Sequence, residues 1–382
     1  MLNGRNLVLD TLSEVYGLLL PWRTHEFWNY ASHQDIPDSI YVFGRAQLIE
    51  NLDRVRELCH DPRFVVVFGD SAEGSTTIES QLRALGLENL VMSGKMLLIS
   101  GGEQDPGYHY IHHEHFLIRV LDYEENLQEI SRSEEIFTKK PKPYKFLYLN
   151  GRSRPHRKYL WERFRTMGIL DHALCSMLDG RSSDDSVFSI IEHGQELMRT
   201  NTPIQLLPDQ YEVPMFRGFR LTDQGNPQQN VKNELFQSTW GDIYLQADAY
   251  IDTYFSLVTE TVFETHYSFR TEKIAKPLAM AHPWIAATNA GFYRDIRNLG
   301  FQSFSTLIDE SFDTIDDHRD RMDRIVAVVR DLCDQDLDSF VAAAKDICKY
   351  NQQHLQELIP DIKKNFPGDF FRFVEKHRLC KI

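Results

Sequence analysis

The sequence predicts an α/β protein: two Rossmann-like domains facing a cleft, followed by a helical C-terminal tail. Three observations predict it. Short apolar runs end at glycines or small polar turns, helical patterns separate them, and the alternation restarts after a polar, proline-bearing stretch near residue 140. Strand, glycine turn and helix in alternation is the pattern of a parallel sheet, whose crossovers must return over one face before the next strand begins. A length of 382 residues fits two domains at about 150 each.

The first apolar runs are Ile40–Phe43 (IYVF), Phe64–Phe68 (FVVVF) and Met96–Ile99 (MLLI). They end at Gly44, at Gly69-Asp70-Ser71 and at Ser100-Gly101-Gly102, and ligands of parallel sheets sit at such carboxyl ends. Helical patterns at Ala46–Cys59 and Thr77–Leu85 lie between them. Ser131–Pro143 reads as a linker. Then come a strand at Lys145–Leu149 (KFLYL), a turn at Asn150-Gly151 and a basic amphipathic helix at His156–Met167. Ser182–Asn230 is polar and less regular. Ile251–Val258 reads as a strand, Thr271–Ala281 as a helix and Pro283–Ala287 as a short strand. From Ser311 to about Leu358 the pattern is helical and acidic, with an apolar stripe of Met322, Ile325, Val326, Val329 and Leu332 suited to core packing or dimerisation. The expected domains are therefore 1–140 and 141–310, both α/β, and a helical extension over 311–382. Two such sheets across a cleft is the outline of GT-B proteins, which other two-domain α/β proteins share.

Composition narrows the functions. Apolar residues make up 42% and charged residues 26%, as in ordinary folded proteins. The net charge of −14 disfavours non-specific binding to nucleic acid or anionic membrane, since both need positive surface. Five cysteines (Cys59, Cys175, Cys333, Cys348, Cys380) form no CxxC pair, which points to a reducing, cytoplasmic setting. Asp10 and Glu14 interrupt the apolar N-terminal stretch, and no run reaches the roughly 18 apolar residues of a membrane span.

The most informative window is Tyr254–Thr288. A strand ends at Thr259-Glu260-Thr261, and Arg270-Thr271-Glu272-Lys273 opens a helix after a short loop. Arg270, Lys273 and the helix N-terminus suit an anion, while Glu260 and Glu272 suit hydroxyls; Glu272 is equally placed for a helix-capping role. This window resembles the donor-binding motif of the α1,3-fucosyltransferase family. Glu260-Thr261 lies where the family has Glu-Asn, Phe269 where it has an aromatic, and Thr271-Glu272-Lys273 match outright. Thr261 and Val262 replace the family's Asn-Ser pair. Similar segments occur in viral and bacterial sugar-transferase-like proteins, and Gly300-Phe301, Phe304 and Asp309 would complete that pattern. The resemblance implies a lysine on phosphate, glutamates on hydroxyls, inversion and no obligatory metal, with a nucleotide diphosphate sugar (GDP- or UDP-sugar) as co-substrate. It makes 141–310 the donor domain and 1–140 the acceptor side.

A second constellation, Asn150–Lys158 (NGRSRPHRK), follows the strand KFLYL. Its cations and turn N–H groups form a diphosphate cradle or, on the bland reading, a solvated basic turn; Arg152, Arg154 and Arg157 are the candidates. Neither GxxxxGK[ST] nor GxGxxG occurs. In a third, Tyr108–His115, a strand would place His109, His113 and His115 on one face as metal ligands, against incidental clustering at a surface or interface; a histidine or Glu114 could instead touch an acceptor. A general base for the acceptor hydroxyl is sought among Asp70, Glu73, Glu103 and Asp105, with Asp70 and Glu103 first and turn or cap roles as the alternative.

The expectation is a glycosyltransferase moving a sugar from a nucleotide diphosphate sugar to a glycan or other hydroxyl acceptor. The alternatives are a non-catalytic nucleotide- or glycan-binding protein derived from a transferase, a phage-type sugar transferase acting on DNA bases, and a metal hydrolase built on the histidines. A homodimer through the C-terminal helices is a further possibility.

Overall fold

The computed structural model describes residues 40–43, 48–49, 51–62, 65–70, 74–104, 106–122, 124–150, 154–177, 245–264 and 266–379. It is a mixed α/β chain with two parallel four-stranded sheets, one in each of two units. The first unit comprises the chain to Arg119, Tyr267–Arg270 and the chain from Glu357; the second comprises Val120–His266 and Thr271–Gln356.

In the first unit β1 (Ile40–Phe43), β2 (Val65–Asp70), β3 (Met96–Ser100) and β4 (Tyr110–His112) pair in that order, all parallel. Every residue of β2 and β3 is buried, which is why both read as unbroken apolar runs. Helices α1 (Leu52–His60) and α2 (Ser75–Ala84) supply Val55, Leu58, Cys59, Ile78 and Leu82 to a core shared with Val66, Phe68, Met96 and Leu98. β4 is half-buried along its length and forms the end of the strand order.

The second unit holds β5 (Tyr144–Asn150), β6 (Ala173–Met177), β7 (Thr253–Thr259) and β8 (Trp284–Ala287), in the order β6-β5-β7-β8 and again all parallel. Its longer helices are α3 (Pro155–Thr166), α4 (Glu272–Ala279), α5 (Phe292–Asn298) and α6 (His318–Cys333). The stripe Met322, Ile325, Val326, Val329 and Leu332 of α6 is buried within the chain itself. Phe146 stacks on Phe255 at 5.5 Å, with Phe164 edge-on to Phe146 at 5.9 Å, so aromatic packing carries the centre of this core. α7 (Leu337–Leu379) begins in the second unit and ends in the first.

Three departures from the sequence reading have local causes. Ser131–Pro143 is part of the second unit rather than a linker: it contains a short helix, Glu135–Thr138, with Ile136 buried and Arg132 paired to Asp248 at 2.7 Å. β7 starts at Thr253 because Ala247–Ile251 is helical and the Thr253 hydroxyl donates back to the Ala249 carbonyl at 2.8 Å. α7 continues past Leu358 and through Pro360, where a lost N–H and a steric clash would ordinarily end a helix. Among the described residues no helix is long and apolar enough to cross a membrane.

Candidate functional site

The strand order of the second sheet reverses at β5. The chain passes from β5 to β6 on one flank and later returns to β7 on the other. Crossovers diverge at such a point, and the crevice outside the carboxyl ends of the two strands is where open parallel sheets accommodate ligands. Here Asn150 ends β5, Thr259 ends β7, and the Thr259 hydroxyl donates to Asn150 Oδ1 at 2.7 Å. The segments leaving these strands therefore emerge side by side.

The first turn of α3 is fastened to the end of β7. Arg157 Nη2 donates to the carbonyls of Thr259 at 3.0 Å and Glu260 at 3.3 Å. His156 Nε2 donates to the Glu260 carbonyl at 2.9 Å, which fixes the proton on Nε2 because a carbonyl only accepts. The Tyr148 hydroxyl of β5 holds the Arg157 carbonyl at 2.9 Å. Burial, then Arg157 and Arg154, drive the His156 pKa well below the ordinary value, so its ring is neutral. Burial and Arg154 also lower that of Arg157, which still carries its charge at neutral pH. Pro155 at the start of α3 suits a helix opening, since the missing N–H has no intrahelical partner there.

The helix α4 starts from the same strand end. Buried Glu260 accepts from the Thr271 N–H at 3.1 Å and hydroxyl at 2.6 Å, and from the Thr261 N–H at 3.2 Å. Both carboxylate oxygens thus tie strand end to helix start, although the sequence offered Glu260 as a hydroxyl acceptor. Burial raises the pKa of this carboxyl. Thr271 is the N-cap, accepting from the Lys273 N–H at 3.3 Å. Lys273 Nζ pairs with Glu272 and donates to the hydroxyls of Thr271 at 3.2 Å and Thr261 at 3.5 Å. Burial alone would raise the Glu272 carboxyl, but Lys273 and Lys276 together outweigh it and hold it below the usual range. The structure thus brings Arg154, Arg157, Glu260, Thr261, Thr271, Glu272 and Lys273 to one end of one sheet.

The loop after β7 is braced from below. Arg321 of α6 donates to the carbonyls of Phe263 at 2.6 Å and Thr288 at 3.1 Å, and its guanidinium lies 4.4 Å from the Phe263 ring centroid. The His156 ring stacks on the same phenyl at 5.1 Å. The next residue, Glu264, is one the sequence reading missed: a glutamate in an aromatic-rich loop carries no spacing signal. Burial, the largest influence, pushes its carboxyl up to about 7 despite Arg154 and Arg321.

The remaining candidates lie in the first unit. Asp70 is the buried last residue of β2, in register with Ser100. The Glu103 N–H donates to the Ser268 carbonyl at 2.9 Å, and its carboxylate lies 3.8 Å from Arg270. Arg270 Nε donates to both oxygens of Glu114, at 2.9 and 3.1 Å, and Nη2 pairs with the same carboxylate. Its charge is engaged in the first unit, not with Lys273 as its place in the sequence suggested. Phe269 packs against Gly74 and Gly102; a Cβ on Gly74 would come within 2.8 Å of its ring.

The histidines do not share a strand face. β4 stops at His112, the His113 N–H bonds the Ser100 carbonyl, and His115 opens a helix over His115–Arg119. His112 Nε2 donates to the Gly101 carbonyl at 2.9 Å, His113 packs edge-on to Phe366 at 4.6 Å, and His109 does the same with His377 at 4.5 Å. Among the described residues no three histidine, cysteine, aspartate or glutamate side chains gather to hold a metal. Gly300-Phe301 seats α7: a Cβ on Gly300 would fall 2.6 Å from His354, and the Phe301 ring meets His354 at 4.8 Å. Phe304 packs on Trp284, and Asp309 pairs with Arg324. Arg152, Glu73 and Asp105 lie outside the described residues. Compared with family models, curated proteins and solved structures, the chain matches none.

Proposed function

We propose that the protein is a GT-B-type glycosyltransferase whose second unit takes the diphosphate of a nucleotide diphosphate sugar at the carboxyl ends of β5 and β7. The observation that carries this reading is the meeting of two basic segments at the reversal of the sheet. Arg154 is the N-cap of α3 and Arg157 lies in its first turn, Lys273 stands at the start of α4, and a hydrogen bond of 2.7 Å joins the two strand ends. Cations held at a helix start stabilise negative charge as it develops on a leaving diphosphate, which lowers the barrier to breaking the glycosidic bond. The rigid ties through Glu260, Thr271 and His156 keep those groups in place before the ligand arrives.

The acceptor hydroxyl needs a base. Of the two carboxylates favoured by the sequence, Glu103 has a third of its side chain exposed, whereas Asp70 is buried in β2. Glu103 is therefore the one an acceptor can reach, and its carboxylate lies 3.8 Å from Arg270.

A thermal-shift panel of GDP, UDP, CDP, TDP and ADP, with and without Mg²⁺ or Mn²⁺, tests the donor site. Binding to the folded state raises Tm by mass action, and the shift for the preferred nucleotide disappears in Lys273→Ala. No shift with any nucleotide would overturn the reading. Release of nucleoside diphosphate from the matching sugar donor on adding an acceptor separates a transferase from a protein that only binds.

A further inference from the structure

If the crevice holds a nucleotide diphosphate sugar, something must recognise its hydroxyls, and the two glutamates nearest the cations are already engaged. Glu260 receives three hydrogen bonds from Thr261 and Thr271. Glu272 pairs with Lys273. Glu264 differs. Its carboxyl accepts from the backbone N–H groups of its own residue and of Phe263, yet its Oε1 is shut off from solvent and has no hydrogen-bond partner among the described residues. Buried polar atoms are nearly always hydrogen-bonded in native proteins, so a lone one calls for a partner that arrives. The residue as a whole is only part-buried.

Its surroundings fit a ligand site rather than a packing defect. The loop is held firmly, by Arg321 on the Phe263 carbonyl and by the Thr288 hydroxyl on the Val262 carbonyl at 3.2 Å. Phe263 lies under the ring of His156, whose neighbours Arg154 and Arg157 belong to the proposed diphosphate cradle. The charges of Arg154 and Arg321 both act on the Glu264 carboxyl. A carboxylate oxygen beside a phosphate-binding arginine suits a hydroxyl donor one or two bonds removed from the phosphate.

Resting on the reading above, we propose that Glu264 accepts a hydrogen bond from a hydroxyl of the bound ligand, on its ribose or on its sugar, and so sets the preference for a sugar nucleotide over a bare diphosphate. Burial lifts its carboxyl to about 7, and a hydroxyl donor against the oxygen would favour the ionised form against that burial.

Calorimetric affinities test this with four ligands: the preferred nucleoside diphosphate, its 2′,3′-dideoxy analogue, the corresponding nucleotide sugar, and inorganic pyrophosphate. The wild-type protein is expected to bind the ribonucleotide about tenfold more tightly than the dideoxy analogue, or the nucleotide sugar about tenfold more tightly than the diphosphate, as one hydrogen bond to a charged group permits. The first result assigns the ribose, the second the sugar. In Glu264→Gln that discrimination shrinks while pyrophosphate affinity stays within about twofold, and Glu264→Asp provides a second variant should the first not fold. Equal wild-type affinities for all hydroxyl-bearing and hydroxyl-free pairs would overturn the proposal. So would a loss in Glu264→Gln that is the same for pyrophosphate as for the nucleotides. Absence of binding by every ligand, pyrophosphate included, would instead remove the donor-site reading and this one with it.

Discussion

The two sheets are built alike, four parallel strands apiece, yet their carboxyl ends are used differently. In the first unit the chain itself packs there. Phe269 rests on Gly74 and Gly102, just past the ends of β2 and β3, and Arg270 binds Glu114 after β4. In the second unit the strand ends carry cations held by backbone carbonyls and hydroxyls, where the order of the described strands reverses. A sheet with strands in sequential order offers no divergence of crossovers, whereas a reversal does. The same local motif, strand then glycine or polar turn then helix, thus serves packing in one unit and a candidate ligand site in the other.

If that contrast is right, substitutions at the first unit's strand ends cost stability, and those at the second's cost mainly binding. The largest effect is expected at the buried pair: Arg270→Ala or Glu114→Ala should destabilise by about 3–5 kcal/mol, because each deprives a buried charge of its main counter-ion. Urea denaturation reads this, and the double replacement Arg270→Met with Glu114→Leu should recover much of the loss. Burial pushes the Glu114 carboxyl up, but Arg270 and His112 outweigh it, so its folded pKa lies below the ordinary 4.5. The pair's contribution is thus complete above that value and fades as pH falls below it. Next in size, Gly74→Ala should cost about 1–3 kcal/mol through its clash with Phe269, and Phe269→Leu should absorb most of that cost. Additive losses would break the picture of Phe269 seated on the glycine.

Most strands were legible because β2, β3, β5 and β7 are buried apolar runs with abrupt polar ends. β6 (ALCSM) escaped because cysteine and serine blur a five-residue run that follows a short 3₁₀ turn. β4 ends at His112, short of the strand in which the histidines would share a face, since histidines carry no period that marks where a strand gives way to a helix. The start of a helix near Thr271 and the basic start of α3 were visible as local chemistry. Arg270 was not: nothing in a run of four residues tells which unit it will join, so its nearness to Lys273 in sequence misled. Glu264 was invisible for a related reason, because burial of one carboxylate oxygen is a property of packing and not of spacing.

Within the second unit the expected stability effects are smaller. Thr271→Ala removes an N-cap and one of the bonds to Glu260, and should cost about 1–2 kcal/mol by thermal denaturation. Lys273→Ala leaves the buried Glu272 carboxylate with Lys276 as its remaining cation, so it should cost about 1–2 kcal/mol without ligand, still less than breaking the Arg270–Glu114 pair. A large loss there would make Lys273 a structural residue and weaken the contrast.

The smallest effect is the most specific to the meeting of the two segments. His156 is held neutral by burial first, then by Arg157 and Arg154, so its folded pKa lies far below the ordinary 6.5. The unfolded chain binds a proton there that the folded one refuses, so this group's contribution is present above pH 6.5 and lost as pH falls below it. Arg154→Ala removes one of the repelling charges. The His156 pKa should rise, yet stay below 6.5 because burial remains. An imidazole titration followed by NMR measures the shift directly. An unmoved His156 would mean that the Arg154 charge does not reach the first turn of α3, and the cradle drawn around β5 and β7 would lose its outermost cation.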